Sequence, residues 1–398
     1  MRILVVTQRW DLVGGSERYA GALVEALGAR GEDVGVLCAR GSQRASAAVT
    51  VAPELEHPRG AGLARHVRRL RPDRILLLSR ISAPISRLLR GAAPVVRFVQ
   101  DHTLFCPGLN KQYEDGELCQ KALGAQCLER YYLRGGCSGL KITGPPSLRF
   151  PLGALAQCER ELEETRRMSR VLVASEYMRC ELLAAGLSPE RIEVLPYFTR
   201  SKTPALPPGD LPAATAAFLA GSASPILFAP ARLTLPDKGI DYLLSAFARV
   251  RHDSRLVIAG EGPARDWLES KARDEGLRER VHFSGWLSPA AIETLYSKCT
   301  LALCPSVWNE PFGLVGLEAM AWAKPVVAFA VGGIPEWLVD GETGRLVERK
   351  DCDGFAQAID ALLESPADAL RLGEGGARRL RDHFGEDRHV DRLLEVLR

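Results

Sequence analysis

The chain has 398 residues, too many for one ordinary hydrophobic core, and this length predicts two domains. Hydrophobic residues make up 46% of the sequence and charged residues 25%, as in soluble globular proteins, and no segment approaches the ~18 consecutive apolar residues of a membrane span. The formal net charge is only +3, which is too small to indicate nucleic acid as the main partner.

The first half of the chain alternates short apolar segments with segments of helical periodicity, which indicates a parallel sheet. The predicted strands are Ile3–Thr7, Asp33–Cys38, Arg74–Ser79, Val95–Val99, Arg170–Ala174 and Arg191–Leu195. The predicted helices are Glu17–Arg30, Leu63–Leu70 and a helix that Ser175 caps and that continues to Ala185. Residues 1–200 are therefore assigned to the first domain, with a cysteine-rich insertion at about residues 103–140.

Residues 201–225 are rich in Pro, Ala, Ser, Gly and Leu and are predicted to form a linker with a short helix. The second domain, residues 226–375, repeats the alternation. Its predicted strands are Ile226–Ala229, Arg255–Ala259, Val281–Ser284, Leu301–Cys304 and Val326–Phe329, and its predicted helices include Ile240–Val250 and Pro289–Lys298. Gly375-Gly376 is expected to interrupt the C-terminal helical run, and residues 376–398 are expected to pack back toward the first domain.

Residues 305–321, with the sequence PSVWNEPFGLVGLEAMA, form the most informative segment. Glu310 lies in a Pro- and Gly-rich loop, and Glu318 lies about one and a half turns into the helix that follows. Gly313 lets a ligand approach the backbone closely, and the free N–H groups of the first helical turn face an anion. Because carboxylates accept hydrogen bonds from hydroxyl groups, the segment predicts a site for phosphate flanked by hydroxyls, as in a nucleotide-sugar.

The same segment resembles the donor-binding segment of family 4 glycosyltransferases, enzymes of the GT-B fold. The resemblance implies an α/β protein in which two Rossmann-like domains face each other across a deep cleft. It also implies that Glu310 contacts the donor sugar and Glu318 the ribose, while the donor site includes Phe312, Gly313, Leu314 and Val315. The alternative interpretation is an ordinary helix N-terminus with two solvated acids.

The segment ARLTLPDKG, residues 231–239, follows the first strand of the second domain. Arg232 and Lys238 both stay charged, and arginine binds phosphate in bidentate fashion, so the loop suits a diphosphate. It resembles the phosphate clamp of the family, although four residues rather than three separate Leu233 from Lys238. A bulge would absorb the extra residue. A surface turn with two basic residues is the alternative.

Glycine loops at other strand ends complete the predicted donor site. Gly14 and Gly15 expose backbone N–H groups before the first helix, and this turn resembles the family's first loop, which lies against the donor phosphates and the acceptor. Gly262 and Trp286 lie in segments that resemble those meeting the nucleotide base, and core packing is an equal alternative for Trp286. The first strand is not followed by G-x-G-x-x-G, which argues against NAD binding.

Polar residues follow the strand Val95–Val99, at a position where strand ends carry reactive groups. Many relatives in the family have His-Asp here, ahead of Cys-Pro. Gln100 occupies the histidine position, Asp101 matches, and His102 lies two places later, where a surface or packed histidine is the alternative. The resemblance implies a transfer that retains the anomeric configuration and needs no catalytic metal. The catalytic residues that it implies are Glu310, Asp101, His102, Arg232 and Lys238.

Four of the ten cysteines fall within 32 residues, namely Cys106, Cys119, Cys127 and Cys137. A structural zinc site, free thiols and a disulfide all stay open for them. No cofactor is expected for catalysis. Asp351-Cys352-Asp353 has the D-x-D spacing of metal sites in other glycosyltransferases, but it begins a predicted amphipathic helix, so we expect Asp351 to act as a helix cap.

Nine arginines and a single acid, Asp73, lie between Arg59 and Arg90. Such a basic surface suits an anionic membrane or a phosphate-bearing acceptor, and a solvated face is an equal alternative. Aromatic residues are absent from this stretch, so specific nucleic-acid binding is not expected. Since the N-terminus lacks the features of a signal peptide, we expect a cytoplasmic protein, soluble or bound at the inner face of the membrane.

The motifs, together with the family resemblance, imply a retaining glycosyltransferase that moves a sugar from a UDP- or GDP-sugar to a hydroxyl group. The acceptor is expected to be a glycan, a lipid-linked sugar or a small molecule such as a natural product. Two alternatives stay open: a sugar-phosphate synthase of the same fold, and a catalytically impaired protein that binds nucleotide-sugars.

Overall fold

The computed structural model describes residues 1–11, 14–41, 48–57, 62–113, 115–133, 136–137, 140–141, 149–200, 210–220 and 223–398. The chain forms two compact units. The first unit comprises Met1–Tyr197 together with Glu386–Arg398, and the second unit comprises Phe198–Gly385.

The first unit is built on a parallel seven-stranded sheet with the strand order β3-β2-β1-β4-β5-β8-β9. A separate antiparallel pair, β6 and β7, lies in the cysteine-rich insertion. The strands are β1 (Arg2–Trp10), β2 (Asp33–Gly41), β3 (Ala48–Val51), β4 (Arg74–Leu77), β5 (Val95–Val99), β6 (Gly136–Cys137), β7 (Leu140–Lys141), β8 (Arg170–Val173) and β9 (Ile192–Val194). Central strands are covered on both faces, which is why β5 is buried along its whole length and has an almost continuously apolar sequence.

Helices cover the sheet of the first unit. They are α1 (Gly15–Ala29), α2 (Leu63–Leu70), α3 (Ala83–Arg90), α4 (Ala125–Leu133), α5 (Arg149–Arg166) and α6 (Glu176–Ala184), joined by α15 (Glu386–Leu397) from the end of the chain. Ser175 caps α6 as predicted, since its hydroxyl accepts a hydrogen bond from the backbone N–H of Met178. The prediction omitted α5, which follows the insertion.

Helix α15 is held in the first unit by a buried histidine. His389 Nδ1 lies 2.7 Å from the carbonyl oxygen of Pro196, and Nε2 lies 2.8 Å from the hydroxyl of Tyr19. A carbonyl only accepts hydrogen bonds, so Nδ1 carries the proton and Nε2 accepts from Tyr19. At the surface, Arg30 of α1 pairs with Asp387 and Asp391 of α15. The last helix thus joins the sheet unit formed by the start of the chain.

The second unit contains a parallel six-stranded sheet with the order β12-β11-β10-β13-β14-β15. Its strands are β10 (Ile226–Pro230), β11 (Arg255–Ala259), β12 (Val281–Gly285), β13 (Leu301–Cys304), β14 (Val326–Phe329) and β15 (Gly344–Val347). Its helices are α7 (Ala213–Leu219), α8 (Ile240–Phe247), α9 (Arg265–Asp274), α10 (Pro289–Lys298), α11 (Leu314–Ala321), α12 (Ile334–Trp337), α13 (Cys352–Glu364) and α14 (Pro366–His383). Strands β11 and β12 lie on one side of β10, whereas β13, β14 and β15 lie on its other side. The direction in which strands are added to the sheet therefore reverses between β10 and β13.

Helix α14 continues through Gly375-Gly376, so the predicted interruption at these glycines is wrong. Close packing explains why glycine occurs there. A Cβ atom on Gly375 would lie 2.1 Å from the carbonyl oxygen of Glu342, and one on Gly373 would lie 2.0 Å from that of Ala323. The glycines let the helix approach neighbouring backbone rather than break it. The second unit accordingly extends to Gly385 rather than to residue 375.

Candidate active site

Lys238 and Glu310 meet beyond the carboxyl ends of β10 and β13. Lys238 lies in the loop after β10, Glu310 lies in the loop after β13, and the Lys238 ammonium donates to Glu310 Oε1. The two strands are hydrogen-bonded neighbours at the point where the strand order reverses. Crevices at such switch points are where open α/β sheets bind ligands. The structure therefore brings two of the predicted catalytic residues into direct contact.

Glu310 is a buried carboxylate whose charge is compensated. The side chains of Lys238 and Glu310 are 15% and 11% exposed. Burial raises the pKa of Glu310, but the Lys238 charge and hydrogen bonds, including one of 2.8 Å from the Ser306 hydroxyl, outweigh burial and leave the pKa below its ordinary value. Lys238 also lies over the ring of Trp308, 5.0 Å from its centroid. Glu310 is therefore ionised at neutral pH.

Glycines allow the loops around Glu310 to pack backbone against backbone. Gly239 has φ +63°, and a Cβ atom there would lie 1.9 Å from the carbonyl oxygen of Pro305. On the other side, a Cβ atom on Gly332 would lie 2.1 Å from the carbonyl oxygen of Glu310, and the Gly333 N–H donates to that oxygen at 2.8 Å. The position of Glu310 is thus determined by three loops that are distant in sequence.

Helix α11 begins directly after Gly313, which adopts φ +96°. The indole N–H of Trp337 donates to the carbonyl oxygen of Phe312 at 2.6 Å, and a Cβ atom on Gly316 would lie 2.0 Å from the Trp337 ring. Phe312 itself is buried, so it supports the turn from beneath. The free N–H groups at the start of α11, which include those of Leu314 and Val315, form a positive end suited to an anion.

Glu318 lies on α11 and accepts a hydrogen bond of 3.4 Å from the hydroxyl of Tyr296, which also contacts the carbonyl oxygen of Val315 at 3.2 Å. Its side chain is partly exposed. The helix therefore carries a carboxylate about one turn beyond its positive end. This arrangement suits a ligand that presents a phosphate group and hydroxyl groups close together.

The loops after three neighbouring strands carry further predicted donor-site residues: Arg232 follows β10, Gly262 follows β11 and Trp286 follows β12. Arg232 is exposed. A Cβ atom on Gly262 would lie 2.3 Å from the carbonyl oxygen of Leu233, so the Gly262 loop packs directly on the Arg232 loop. The Trp286 side chain is 55% exposed, and the alternative that it packs in the core is therefore wrong. An exposed indole next to a glycine turn is available to contact a ligand ring.

Asp101 and His102, the predicted catalytic residues that follow β5, differ in their exposure to solvent. Asp101 is exposed and caps the short 3-10 helix His102–Leu104, because its carboxylate accepts hydrogen bonds from the backbone N–H and the hydroxyl of Thr103. That turn directs His102 inward, where it is fully buried and lies 2.8 Å from the hydroxyl of Tyr177. The structure thus shows the packed-histidine alternative, and the catalytic role expected for His102 has no support in its position.

A cavity of about 370 Å³ lies at the carboxyl ends of β1, β4 and β5, within the first unit. We call it the first-unit cavity. Its lining includes Gln8, Ser79, Arg80, Arg97, Gln100 and Asp101. The Nε2 atom of Gln100 is buried without a hydrogen-bond partner among the described residues. A buried polar atom in this state is rare and requires an explanation.

Gly14 and Gly15 lie at the N-terminus of α1 in the first unit, and Gly14 is the cap residue with extended backbone. A Cβ atom on Gly14 would lie 2.7 Å from Oε2 of Glu17. A carboxylate of the chain itself therefore lies against this helix end, where the sequence predicted that backbone N–H groups would face donor phosphate. The preceding residues 12–13 lie outside the described residues.

Two family models match the chain. One, described as glycosyl transferases group 1, matches residues 217–379, and the other, a glycosyl transferase 4-like domain, matches residues 14–197. The matched regions coincide with the second and the first structural unit. The chain belongs to the group 1 glycosyl transferases.

Individual members of the family match only part of the chain. An uncharacterized glycosyltransferase of Methanocaldococcus jannaschii is 41% identical over 134 residues, 33% of this chain and 34% of that protein. The glycogen synthase of Mycobacterium tuberculosis is 35% identical over 151 residues, 37% of this chain and 36% of that protein. The chain thus aligns with about a third of the length of these curated relatives.

Several solved structures share the fold of this chain. The HepE protein of Anabaena, in complex with UDP and glucose, has a TM-score of 0.73 at 19% identity, with 100% of this chain and 99% of that chain covered. The sucrose-phosphate synthase of Thermosynechococcus elongatus has a TM-score of 0.72 at 20% identity, with 99% and 98% covered. The expected GT-B architecture of two Rossmann-like units is confirmed.

The cysteine-rich insertion carries the four cysteines for which a structural zinc site was predicted. Across the described ranges, no group of three or more His, Cys, Asp or Glu side chains is placed to hold a metal ion. Burial raises the pKa of Cys106 to about 12 and that of Cys137 to about 11, so these thiols are protonated at neutral pH. Neighbouring thiols add to this rise, because Cys106 lies close to Cys119 and Cys137, and Cys137 lies close to Cys119 and Cys127. The structural zinc site therefore stays a prediction. Asp351 caps α13 as predicted, through a hydrogen bond of 2.8 Å from the Gly354 N–H.

The arginines between Arg59 and Arg90 divide into two groups; Arg59 itself lies outside the described residues. Arg74, Arg80, Arg87 and Arg90 are engaged within the unit, the last two with Glu164 at 2.9 and 2.6 Å. The arginines of α2 and its C-terminal end are exposed, namely Arg65, Arg68, Arg69 and Arg71. Among the described arginines of this stretch, the exposed basic surface therefore centres on α2, while Arg87, also exposed, pairs with Glu164. None of the helices that the structure describes is long and apolar enough to cross a membrane.

Several contributors to the site were not predicted from the sequence. Ser306 and Gly332-Gly333 position Glu310, Trp337 supports the start of α11, and Tyr296 contacts Glu318. Ser306 belongs to the matched motif and could have been found from it. The others come from elements that are adjacent only in the folded sheet, so no local pattern identifies them.

Proposed function

We propose that this protein is a glycosyltransferase whose donor is a nucleoside-diphosphate sugar. The observation that carries the proposal is the Lys238–Glu310 pair at the switch point, beside exposed Arg232 and the positive end of α11. An ammonium group has N–H donors beyond the one that Glu310 accepts, so Lys238 can also bind phosphate. Glu310 and Glu318 supply acceptors for hydroxyl groups on either side. HepE of Anabaena forms complexes with UDP and with UDP-glucose, which supports a UDP-sugar ahead of a GDP-sugar.

The proposed reaction retains the anomeric configuration. The bond from the anomeric carbon to the diphosphate oxygen breaks, and the acceptor oxygen forms its bond to the same face of that carbon through an oxocarbenium-like transition state. The acceptor proton passes to the departing phosphate. Arg232, Lys238 and the start of α11 would stabilise the negative charge that develops on the leaving group. This assignment requires no metal ion.

The acceptor is proposed to be a hydroxyl-bearing glycan, lipid-linked sugar or small molecule. Matching relatives include a glycogen synthase, a D-inositol 3-phosphate glycosyltransferase and an alpha-D-kanosaminyltransferase, whose names cover a glycan, a phosphorylated polyol and a natural product. An alpha-maltose-1-phosphate synthase, 35% identical over 173 residues, supports a sugar-phosphate synthase as the second candidate.

A nucleotide panel tests the donor assignment. UDP, GDP, ADP and TDP would be added to the wild type and to Arg232→Ala, with the midpoint of thermal unfolding as the readout. A ligand that binds the native state raises this midpoint by mass action. We expect one nucleotide to raise it in the wild type and to lose most of its effect in Arg232→Ala. Arg381→Ala, an exposed arginine of α14, is the matched control and should respond as the wild type does. Absence of a shift with every nucleotide would refute the donor site.

A second assay separates an enzyme from a protein that only binds nucleotide-sugars. In the absence of acceptor, a glycosyltransferase hydrolyses its donor slowly, and release of the nucleoside diphosphate measures this reaction. We expect hydrolysis by the wild type and a loss of at least about 100-fold in Glu310→Ala, in line with the removal of one catalytic charge contact. Nucleotide binding without hydrolysis or transfer would favour the binding protein.

We also propose that α2 contacts an anionic membrane surface at the cytoplasmic face. Its exposed arginines support this, because each basic residue near such a surface contributes about 1 kcal/mol. Replacing Arg65, Arg68 and Arg69 by glutamine should weaken sedimentation with phosphatidylserine-containing vesicles by about 100-fold. The control is Arg166→Gln with Arg167→Gln, two arginines of α5 that pair with Glu163. Equal binding to pure phosphatidylcholine would contradict the proposal.

A further inference from the structure

The first-unit cavity contains an unused hydrogen-bond donor next to a carboxylate. Gln100 directly follows β5, and its Nε2 atom is buried without a partner among the residues that the structure describes. The adjacent Asp101 is exposed and lines the same cavity. An unmade hydrogen bond at a buried donor is unfavourable, so turning the Gln100 amide toward an acceptor atom of a ligand in the cavity would be favoured.

Two of the arginines that line the cavity are paired with carboxylates of the same unit. Arg9 donates to Asp11 at 2.9 Å. Arg80 donates to Glu161 at 2.6 Å, and Glu161 is almost fully buried. Their charges are therefore already compensated before any ligand binds.

The third arginine, Arg97, is 3% exposed and donates to the hydroxyl of Thr165 at 2.8 Å. Burial lowers the pKa of Arg97 to about 10, while the carboxylates of Glu161 and Asp101 favour its charged form. Glu17 adds a further carboxylate to the lining. An anionic ligand would thus meet three arginines that each have an internal partner, and it would also meet two lining carboxylates.

We propose that the first-unit cavity binds the acceptor through two neighbouring neutral hydroxyl groups. One hydroxyl oxygen accepts a hydrogen bond from Gln100 Nε2, and the other hydroxyl donates to the Asp101 carboxylate. A hydroxyl group can do both, whereas phosphate and carboxylate groups only accept at neutral pH. The inference rests on the proposed function and deepens it, because it selects neutral polyols over phosphorylated or carboxylated acceptors. The cavity volume of about 370 Å³ is within the ordinary range of ligand sites.

Ligand-observed NMR tests this selection directly. Glucose, maltose and myo-inositol would each be compared with their monophosphates by saturation-transfer difference, with the preferred nucleoside diphosphate at saturation so that the second unit is occupied. We expect the neutral compounds to bind at least about tenfold more tightly than their phosphates. Gln100→Leu, which keeps the side-chain size but removes the donor, should weaken the neutral compounds by about tenfold. Gln357→Leu, at an exposed position of α13, is the matched control and should leave them unchanged.

A second variant reverses the preference. Gln100→Lys adds a positive charge to the cavity and should shift the ratio of affinities toward the phosphates by about tenfold. The proposal is overturned if no neutral polyol binds to the wild type, if a phosphate binds more tightly, or if Gln100→Leu binds neutral polyols as the wild type does. The nucleotide shift recorded on the same samples separates the two proposals. A normal shift without polyol binding refutes only the inference, whereas a missing shift in the wild type refutes the proposed function as well.

Discussion

The Lys238–Glu310 pair makes a measurable contribution to stability as well as to the site. We consider Lys238→Met, which preserves most of the side-chain length and removes the charge. The side chains are 15% and 11% exposed, so the pair lies closer to the buried than to the surface class of ion pairs. Removing one partner of a buried pair costs about 3–5 kcal/mol, because the remaining charge stays buried without compensation. Surface pairs contribute only about 0–1 kcal/mol.

The pH dependence of this variant has a definite sign. In the wild type the pKa of Glu310 is below its ordinary value because the compensation by Lys238 and hydrogen bonds outweighs burial. Without Lys238, burial prevails and the folded-state pKa rises above the unfolded value. A raised carboxyl pKa favours the folded state at low pH, and this contribution is lost as the pH rises through the raised pKa. We therefore expect the deficit of Lys238→Met to be largest at neutral pH and to shrink toward pH 5.

A double-mutant cycle measures the pair. Thermal unfolding would be followed for the wild type, Lys238→Met, Glu310→Gln and the double variant. A loss of about 3–5 kcal/mol corresponds to a fall of roughly 6–20 °C in the unfolding midpoint for a unit of this size. The double variant should be more stable than the sum of the single losses predicts, by at least about 1.5 kcal/mol. Single losses below about 1 kcal/mol that simply add would refute the view that the pair is buried and coupled.

Three further predictions concern loop geometry, ligand contact and pH. Gly239→Ala should abolish nucleotide binding and lower the stability to thermal unfolding more than the control Gly276→Ala does. Both glycines have positive φ, so alanine at either position costs about 1–2 kcal/mol of backbone strain. Only at Gly239 would the added Cβ also clash with backbone, 1.9 Å from the carbonyl oxygen of Pro305. Trp286→Ala should keep the unfolding midpoint within about 2 °C of the wild type, since the side chain is 55% exposed. The variant should nevertheless bind the preferred nucleotide about tenfold more weakly in calorimetry. An unchanged affinity would exclude a contact between Trp286 and the base. Burial lowers the pKa of His389 to about 4, so stability falls as the pH drops from about 6.5 to about 4, by about 2 kcal/mol between pH 7 and pH 5. His389→Gln should lower stability at pH 7 but remove this extra slope in urea unfolding, and an equal slope in both proteins would contradict the assignment.

The amino-acid sequence alone determined most strands of the two parallel sheets and named the residues that are proposed for the donor site. The strands Val95–Val99, Arg255–Ala259, Leu301–Cys304 and Val326–Phe329 have the predicted bounds. Central strands of a parallel sheet are buried on both faces, so their sequences are continuous apolar runs that end at turn residues. Such a run can be identified from neighbouring residues along the chain. The caps at Ser175 and Asp351 are local for the same reason, since a cap joins residues within one helical turn.

The tertiary structure alone decided which of these residues meet and which stay available. Lys238 and Glu310 are 72 residues apart, and their contact follows from the adjacency of β10 and β13 in the sheet order. The sequence alone could not show which of the polar residues after β5 are buried and which line the cavity. The side of the turn on which each side chain lies depends on the surrounding packing. That packing buries His102 and leaves Gln100 in a cavity with an unused donor. Periodicity describes neighbours along the chain, whereas burial and charge compensation depend on atoms that only folding brings together.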